Sequence, residues 1–275
     1  LSNLEGFDPE KDLIANRDLL LLDRWIISRA SQLQEEILAA YNDYQLHTIY
    51  QKLHNFCVVE LGSIYLDIIK DRQYTCQKNS LARRSAQTAL FHIIEAFTRW
   101  IAPILSFTAD ELHENIPGKR SDNIFIEEVY PKVTYLLNDD KQEALLMDTL
   151  CLVKEAVNKA LEGERTKGVI GGSLEAEITL YASDELAGQL ERLGDELRFV
   201  LIASAVTIVK EPPVGAAVIA TELEGLSLSV TKSRHKKCIR CWHHTAEVGQ
   251  IEQHPELCQR CVDNVDGAGE VRQFA

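Results

Sequence analysis

The stretch that most constrains the fold is Cys238-Ile-Arg-Cys241, followed after sixteen residues by Cys258-Gln-Arg-Cys261. Each C-x2-C pair can form a turn whose two thiolates point at one metal ion, and two such turns complete a tetrahedral shell of four sulfurs around zinc. A closed shell leaves no position for water or substrate, so we expect one structural Zn2+. Such a metal lets a short segment fold that could not bury enough apolar surface alone.

The remaining cysteines indicate a reducing compartment. Cys57, Cys76 and Cys151 form an odd set with no pairing pattern, which is typical of the cytoplasm, where thiolates are held by zinc and not by disulfide bonds. Two alternatives remain at the metal site itself. The four cysteines could form a pair of disulfides, or a histidine between the pairs could replace one cysteine as a ligand. These histidines are His243, His244 and His254.

Composition indicates an ordinary globular protein. At 275 residues, with 45% hydrophobic and 26% charged residues, the chain is long enough for two or three domains. No apolar run approaches the roughly 20 residues that span a bilayer, so we expect no membrane partner. Residues 1–5 lack a starting methionine and a secretion signal. We therefore interpret the chain as part of a longer protein.

The charge is unevenly distributed. A net charge of −13 argues against a protein that coats nucleic acid generally. Residues 231–244, however, contain five lysines or arginines, three histidines and no acid. A basic patch beside the metal site of an otherwise acidic protein favours a single local contact with a polyanion. The alternative is a cationic loop that is simply solvated.

The first half of the chain predicts helices. Apolar residues recur at the 3.6-residue period in residues 21–41, 49–69 and 86–101, and Pro103 should end the third helix. Residues 108–111 read as a capping box that starts a fourth helix. Helices with one apolar face each are typical of a bundle.

Charged residues interrupt this apolar pattern. Arg29 and Glu60 lie in the middle of the first and second stripes, where an unpaired charge is costly. Either they face each other inside the bundle, or the helices are rotated so that both side chains reach water. In the third helix, Glu95 and Arg99 are expected to point away from the apolar face.

The second half predicts one long helix and a small α+β module. The helix spans residues 139–164, and strands are predicted at 174–181, 206–209 and 226–230. Between the first two strands, Ser183 or Asp184 should cap a helix that Gly194 ends. The long helix has this predicted apolar face: Leu145, Leu146, Leu152, Val153, Val157 and Leu161.

These patterns divide the chain into three expected domains. The first is a helical domain at 1–135, the second a helix plus small α+β domain at 136–230, and the third a zinc domain at 231–275.

No catalytic grouping stands out. The chain has no G-x-S-x-G or H-E-x-x-H motif, and the glycine-rich residues 167–172 lack the Gly-Lys-Ser/Thr ending of a phosphate loop. The spacing of His54 and Cys57 on one helix predicts one core residue and one partly exposed residue, and not a catalytic nucleophile. Asp67, Asp71 and Arg72 favour a salt bridge at a helix end. The residues therefore indicate a binding region with a structural zinc.

Several segments together resemble bacterial isoleucyl-tRNA synthetases, in the same order along the chain. The helical part resembles their anticodon-binding domain through Tyr65-Leu-Asp-Ile-Ile-Lys-Asp-Arg-Gln-Tyr74, Arg83-Arg84 and Arg99-Trp-Ile-Ala-Pro-Ile-Leu-Ser-Phe-Thr-Ala-Asp-Glu-Leu112. Their junction region is similar to Gly171-Gly-Ser-Leu-Glu-Ala-Glu-Ile-Thr-Leu-Tyr181 and Gly194-Asp-Glu-Leu-Arg-Phe-Val200. Their zinc domain resembles Cys238-x-x-Cys-Trp-His243, Cys258-x-Arg-Cys-Val262 and Arg272-Gln-Phe-Ala275.

The resemblance implies a mainly α-helical bundle of the class I synthetase anticodon-binding type, then a small α+β module and a four-cysteine zinc domain. It also implies a parent enzyme that activates isoleucine with ATP and transfers it to its tRNA. The HIGH and KMSKS signatures of the ATP site are missing from the 275 residues. This part of the enzyme should therefore be catalytically inactive and bind no ATP itself.

The implied partner is the anticodon stem-loop of isoleucine tRNA, bound by a monomer. Trp242 follows a ligand cysteine and could stack an unpaired base, or it could instead cap the zinc knuckle as a hydrophobic cover. The expected phosphate or base contacts beside it are Lys236, Lys237, Arg240 and Arg260. The expected contacts to the anticodon stem are Lys70, Arg72, Arg83 and Arg84. Arg83 or Arg84 could equally pair with an acid.

Two other classes remain open. Formamidopyrimidine-type DNA glycosylases end in a similar four-cysteine finger, but their N-terminal catalytic proline has no counterpart near Leu1. A protein-interaction domain without a nucleic-acid partner is the second alternative. Salt-dependent binding to tRNAs with different anticodons would separate the three classes.

Overall fold

The computed structural model describes residues 1–135 and 140–275, which form two compact units. The helical unit comprises 1–73, 78–141 and 271–273, and the mixed unit comprises 74–77, 142–270 and 274–275. The expected finer boundary between 136–230 and 231–275 stays a prediction. Within the described ranges, no helix is long and apolar enough to cross a membrane.

The helical unit is a bundle, as the sequence predicts. Its helices are α1 (Leu21–Asn42), α2 (Leu46–Asn55), α3 (Asp67–Thr75, whose last two residues group with the mixed unit), α4 (Leu81–Ile101), α5 (Ser106–Asn115) and α6 (Lys132–Tyr135). The side chain of Ser80 caps α4 by accepting a hydrogen bond from the backbone N–H of Arg83. The helix ends two residues before Pro103, as predicted. Its buried alanines leave room for α1, which packs against it.

The stripe at 49–69 is not one continuous α-helix. Between α2 and α3, residues Phe56–Leu66 form a π-helix. Gly62 explains how the chain accommodates it, because a Cβ atom there would lie 3.0 Å from the carbonyl oxygen of Cys57, five residues earlier. The hydroxyl of Ser63 also donates to the carbonyl of Val58 at 2.9 Å. The i to i+5 spacing thus comes from local contacts that hydrophobic periodicity does not reveal.

Two local predictions about α4 and α5 are wrong. Helix α5 begins at Ser106, so Thr108 lies inside the helix and does not cap it. Phe107 is exposed. Glu95 and Arg99 do not point into solvent. Glu95 is buried and pairs with Arg99 at 2.6 Å and with Arg120. A chain segment beyond α5 covers this face of α4, which the helical period alone could not anticipate.

Arg29 and Glu60 face each other, which decides between the two arrangements that the sequence left open for them. The guanidinium Nη2 of Arg29 lies 2.9 Å from Oε1 of Glu60, and the two side chains are 43% and 15% exposed. The pair therefore forms at the edge of the bundle, where the arginine still reaches water. Pairing at a partly solvated position avoids most of the desolvation cost of a buried ion pair.

Asp67 and Asp71 form salt bridges, as expected, but not with Arg72. Asp67 pairs with Lys70 at 2.9 Å, and Asp71 pairs with Arg272. Arg72 instead points into the bundle.

Arg72 belongs to a buried polar network. Its Nη1 and Nη2 lie 2.8 and 2.5 Å from the carboxylate oxygens of Asp23, and both side chains are 0% exposed. The hydroxyls of Tyr65 and Ser85 also donate to Asp23. A charge pair this deep is tolerated because several hydrogen bonds satisfy it.

The mixed unit confirms the predicted α+β module. A long helix, α7 (Lys141–Thr166), precedes a four-stranded sheet of order β2-β1-β4-β3. Its strands are β1 (Ala176–Ala182), β2 (Ala205–Val209), β3 (Ile219–Ala220) and β4 (Leu226–Lys232). Strand β1 runs parallel to β2 and antiparallel to β4, with Ile178 opposite both Val206 and Val230. This arrangement buries the alternating apolar residues of β1.

Of three predicted details of this module, one is not tested, one is wrong and one is confirmed. Residue 139 lies outside the described residues, so the predicted start of α7 is not tested. Leu145 and Leu152 of α7 are exposed, whereas Met147 and Leu150 take their places in the buried face. Helix α8 (Asp184–Leu190) is capped by Ser183 and ends before Gly194, and a short helix α9 (Leu197–Leu201) follows.

Candidate metal centre and nucleic-acid interface

Four cysteine sulfurs converge at one point of the mixed unit. The Sγ atoms of Cys238, Cys241, Cys258 and Cys261 all lie within 4.8 Å of one another, and the residues are buried. The Sγ atoms of Cys241 and Cys258 are 3.6 Å apart. Zinc bonds of about 2.3 Å in a tetrahedron place sulfurs about 3.8 Å apart. The spacing therefore fits a closed four-thiolate zinc shell.

Backbone hydrogen bonds hold the two turns in place. The N–H of Trp242 donates to the carbonyl of Cys238, and the N–H of Cys238 donates to the carbonyl of His243, both at 2.9 Å. The N–H of Cys258 donates to the sulfur of Cys238 at 3.4 Å. Such donors favour the thiolate form that binds metal.

Hydrogen bonds between the four sulfurs shift their pKa values. Hydrogen bonding from the Cys238 thiol lowers the pKa of Cys241. Hydrogen bonding to the same sulfur raises the pKa of Cys261. Both shifts come from hydrogen bonds between the clustered sulfurs, whose protons a divalent cation would replace.

Each of the nearby histidines has one ring nitrogen engaged elsewhere. In the described ranges 1–135 and 140–275, the group of side chains close enough to share a metal consists of the four cysteines. His243 Nδ1 lies 3.2 Å from the carbonyl oxygen of Cys241, His244 Nδ1 lies 2.9 Å from that of His235, and His254 Nε2 lies 2.5 Å from Asp266. This favours four sulfur ligands over a mixed set.

Little apolar surface surrounds the metal centre. The buried cluster there consists of the cysteines and Val248, with Leu257 partly buried against it. Two aliphatic side chains bury too little apolar surface to stabilise residues 238–261, so the fold of this segment depends on the metal.

Trp242 is not a cover over this cluster. Its side chain is 59% exposed, and its backbone has a φ of +67° in the left-handed region. Lys237 Nζ lies 4.8 Å from the centroid of the Trp242 ring. The exposed ring is therefore an aromatic platform mounted beside the metal centre.

Of the four basic residues predicted to contact RNA beside Trp242, three are exposed and one is largely buried. Lys236 and Lys237 form strand β5 (Lys236–Lys237), which pairs with β6 (His244–Thr245), and both lysines are exposed. Arg240 is also exposed, although its Nη2 donates to the carbonyl of Thr75 at 3.0 Å. These three cations remain available to a ligand.

Arg260 does not belong to this surface, which corrects the prediction for it. Its side chain is 11% exposed and pairs with Glu270 at 3.2 Å. Its guanidinium also lies 4.9 Å from the ring centroid of Phe199. Both contacts hold α10 (Gln259–Val265) within the mixed unit, so Arg260 has a structural role.

The candidates in the helical unit also differ in accessibility. Arg72 is fully buried against Asp23, so the structure corrects the expectation that it contacts nucleic acid. Arg84 is largely buried and lies 3.3 Å from Asp12, which is the alternative left open above. Lys70 is exposed, and Arg83 is half-buried with no ion pair to another described residue. Lys70 and Arg83 thus remain candidates.

A further exposed aromatic residue lies next to a partner of Arg240 and is not among the predicted site residues. Tyr74 of the mixed unit is exposed, and it directly precedes Thr75, whose carbonyl accepts from Arg240. Residues 72, 73, 75 and 76 around it are buried, so Tyr74 is the outward residue of that helical turn. Because these buried neighbours are mostly polar, an apolar period in the sequence could not indicate it.

The sequence matches two known family models. Residues 23–180 match the family described as "Anticodon-binding domain of tRNA ligase". Residues 236–264 match the "Zinc finger found in FPG and IleRS". Together with the four-sulfur cluster, the second match confirms the predicted structural zinc.

Curated relatives match over the whole chain. Isoleucine–tRNA ligases from Pseudomonas putida (strain W619) and Idiomarina loihiensis are 54% and 53% identical over 275 residues, and that of Marinomonas sp. (strain MWYL1) is 52% identical over 276. Each alignment covers 100% of this chain but 29% of the relative. The chain therefore spans about three tenths of the length of these relatives and corresponds to their C-terminal part.

The anticodon-binding family model covers more than half of the chain, and the observed helical bundle agrees with it. The chain belongs to the anticodon-binding domain family of tRNA ligases.

Proposed function

We propose that this chain is the tRNA-binding part of an isoleucine–tRNA ligase and recognises the anticodon stem-loop of isoleucine tRNA. The observation that carries the proposal is the exposed ring of Trp242 beside a four-cysteine metal centre, in a segment that carries three exposed cations. Sequence-specific RNA readout mostly targets unpaired bases in loops, through stacking and hydrogen bonds to base edges.

Trp242 supplies the stacking surface. An unpaired anticodon-loop base that stacks on the exposed indole gains roughly 1–3 kcal/mol. Lys237 lies over the ring, and Lys236 and Arg240 are exposed in the same segment of an otherwise acidic chain, where they favour a local contact with the RNA backbone.

The metal centre serves as a mount for this surface. The four cysteines would hold one Zn2+, which supplies structural stability and no reaction chemistry, because the shell is complete. Trp242 directly follows Cys241, and its N–H is bonded to Cys238. Two ligand cysteines therefore fix the backbone that carries the indole.

The helical unit offers a second contact. Lys70 is exposed, and Arg83 is half-buried without an ion pair among the described residues. Both are suited to phosphates of the anticodon stem, which position the RNA without reading its sequence.

The whole ligase would join isoleucine to its tRNA with ATP. The chain has none of the ATP-site signatures, so activation and transfer belong to the part of the relatives' length that it does not match. We propose that the ligase works in the cytoplasm, where thiolates are held by zinc and not by disulfide bonds, and that it is a monomer, as the family resemblance implies.

The alternatives receive less support. The zinc-finger description names both FPG and isoleucine ligases, so that match alone leaves a DNA-binding role open. The anticodon-binding match and the relatives of 52–54% identity favour the ligase over a repair enzyme or a protein-interaction domain.

Salt-dependent binding tests the proposal. We expect the full chain to bind isoleucine tRNA more tightly than a tRNA with another anticodon, with an affinity that falls as salt rises. A DNA duplex with a damaged base is the control for the repair alternative. Equal affinity for both tRNAs, or preference for the DNA, would overturn the proposal.

A further inference from the structure

Lys237 is an exposed cation whose ammonium group lies over the ring of Trp242. Lys237 Nζ lies 4.8 Å from the ring centroid of Trp242. Lys237 is held by pairing with His244 across the β5–β6 ladder, and Trp242 is held by its hydrogen bond to Cys238. Two separately anchored residues therefore meet at one face of the indole.

This contact makes the two faces of the ring unequal. An ammonium group within about 6 Å of an indole centroid is attracted by the electrons of that face. It occupies the area where a base would otherwise stack. Since Trp242 is 59% exposed, the open area must lie mainly on the remaining face and edge.

The backbone of Trp242 independently aims the ring. A φ of +67° is strained for a residue with a Cβ atom, and such positions usually hold glycine. The knuckle hydrogen bonds impose this conformation. An aromatic residue at a position that favours glycine indicates that its ring, and not its backbone, has the useful role.

The neighbouring lysine provides a contrast. Successive side chains of a strand point to opposite faces, and Lys236 extends towards Gly249, where an added Cβ would lie 3.1 Å from its Nζ. Lys236 therefore leaves the strand away from Trp242. The two adjacent lysines have different surroundings despite identical chemistry.

We infer that Lys237 is a positioning residue, which covers one face of Trp242 so that the ring stacks a single unpaired RNA base on the opposite face. This inference rests on the proposed function. Lys237 then fixes the orientation of the indole and does not neutralise a phosphate, whereas Lys236 is free to do so.

The test compares Lys237→Met with Lys236→Met in the full chain, using a synthetic anticodon stem-loop hairpin of isoleucine tRNA. Methionine keeps an unbranched side chain without the charge. We expect Lys237→Met to weaken binding about two- to five-fold and to leave the slope of log K against log salt unchanged. Lys236→Met should make the slope shallower by about 0.7, the value for one single-strand phosphate contact.

A double-mutant cycle separates positioning from general charge. In a Trp242→Ala background, Lys237→Met should have no further effect on affinity, because there is no ring left to position. An unchanged affinity of Lys237→Met, an equal loss in both backgrounds, or a slope change as large as that of Lys236→Met would overturn the inference. A Trp242→Ala protein that binds as well as the unaltered chain would instead overturn the proposed function.

Abasic hairpins test the single-base claim. Each loop nucleotide is replaced in turn by an abasic residue. We expect Trp242→Ala to have no effect on affinity when one particular position is abasic, and to keep its effect when any other position is abasic. If two adjacent positions each remove part of the effect, the ring is inserted between two bases and the one-faced platform is refuted.

Discussion

Replacement of Trp242 by alanine and by glycine should separate its ring from its backbone. Both substitutions remove the stacking surface and the contact with Lys237. They differ only in the Cβ atom, at a backbone position with a φ of +67°. We therefore expect the same loss of RNA affinity from both, but different stabilities of the metal centre.

The two magnitudes follow from the local geometry. Loss of one stacked base, roughly 1–3 kcal/mol, should weaken hairpin binding between about five-fold and somewhat over a hundred-fold in both variants. A residue with a Cβ in the left-handed region costs about 1–2 kcal/mol relative to glycine, part of which the greater unfolded-state entropy of glycine offsets. Trp242→Gly should therefore be more stable than Trp242→Ala by about 1 kcal/mol.

Zinc competition is the appropriate assay for this difference, because metal binding and folding of the segment are coupled. A chromophoric chelator titrated against each zinc-loaded variant should show about five-fold tighter zinc binding by Trp242→Gly than by Trp242→Ala. Isoleucine activation by the complete ligase should be unchanged in both. Equal zinc affinities would contradict the strain argument, and a loss of activation would contradict a role confined to RNA docking.

Three further outcomes follow from the structure. Chelation of zinc should unfold the segment around the four cysteines while circular dichroism still reports the helical bundle; a single transition of the whole chain would contradict this. Arg72→Met should destabilise the chain by about 3–5 kcal/mol in urea unfolding, because Asp23 is left buried without its cation, while Lys70→Met, at the surface, should change stability by less than about 0.5 kcal/mol. Burial lowers the pKa of His92 from 6.5 to about 4, so the unfolded chain binds a proton that the folded chain does not. Stability should be complete above pH 6.5 and fall by up to roughly 3 kcal/mol as the pH drops towards 4; His92→Gln should remove this part of the pH dependence, and an identical acid profile in both proteins would refute the assignment.

The elements that follow short-range rules could be predicted from the sequence. The stripe at 21–41 matches α1 almost residue for residue, because one face of that helix is buried along its whole length. Ser183 could be recognised as a cap because the capping hydrogen bond spans only three residues. The four cysteines could be assigned together, since their spacing already limits which sulfurs can share a tetrahedral metal.

Errors arose where a distant segment or an unusual backbone intervenes. The helical period predicts that Glu95 faces water, but Arg120 lies against it from beyond α5. The π-helix at Phe56–Leu66 depends on the approach of two backbone groups at Gly62, which an apolar pattern does not encode. In both cases the deciding contact is absent from the helical period.

The sequence by itself thus determined the kind of protein: a helical bundle, a small α+β module and a zinc segment whose cysteines are close in the chain. Only the tertiary structure decided which arginines and lysines remain available to a ligand. Arg72 and Arg240 look alike in the sequence, yet one is buried against Asp23 and the other is exposed beside the metal centre. The physical reason is that burial and pairing of a charge depend on residues far away in the chain, whereas metal-ligand spacing and helical periodicity depend on near neighbours.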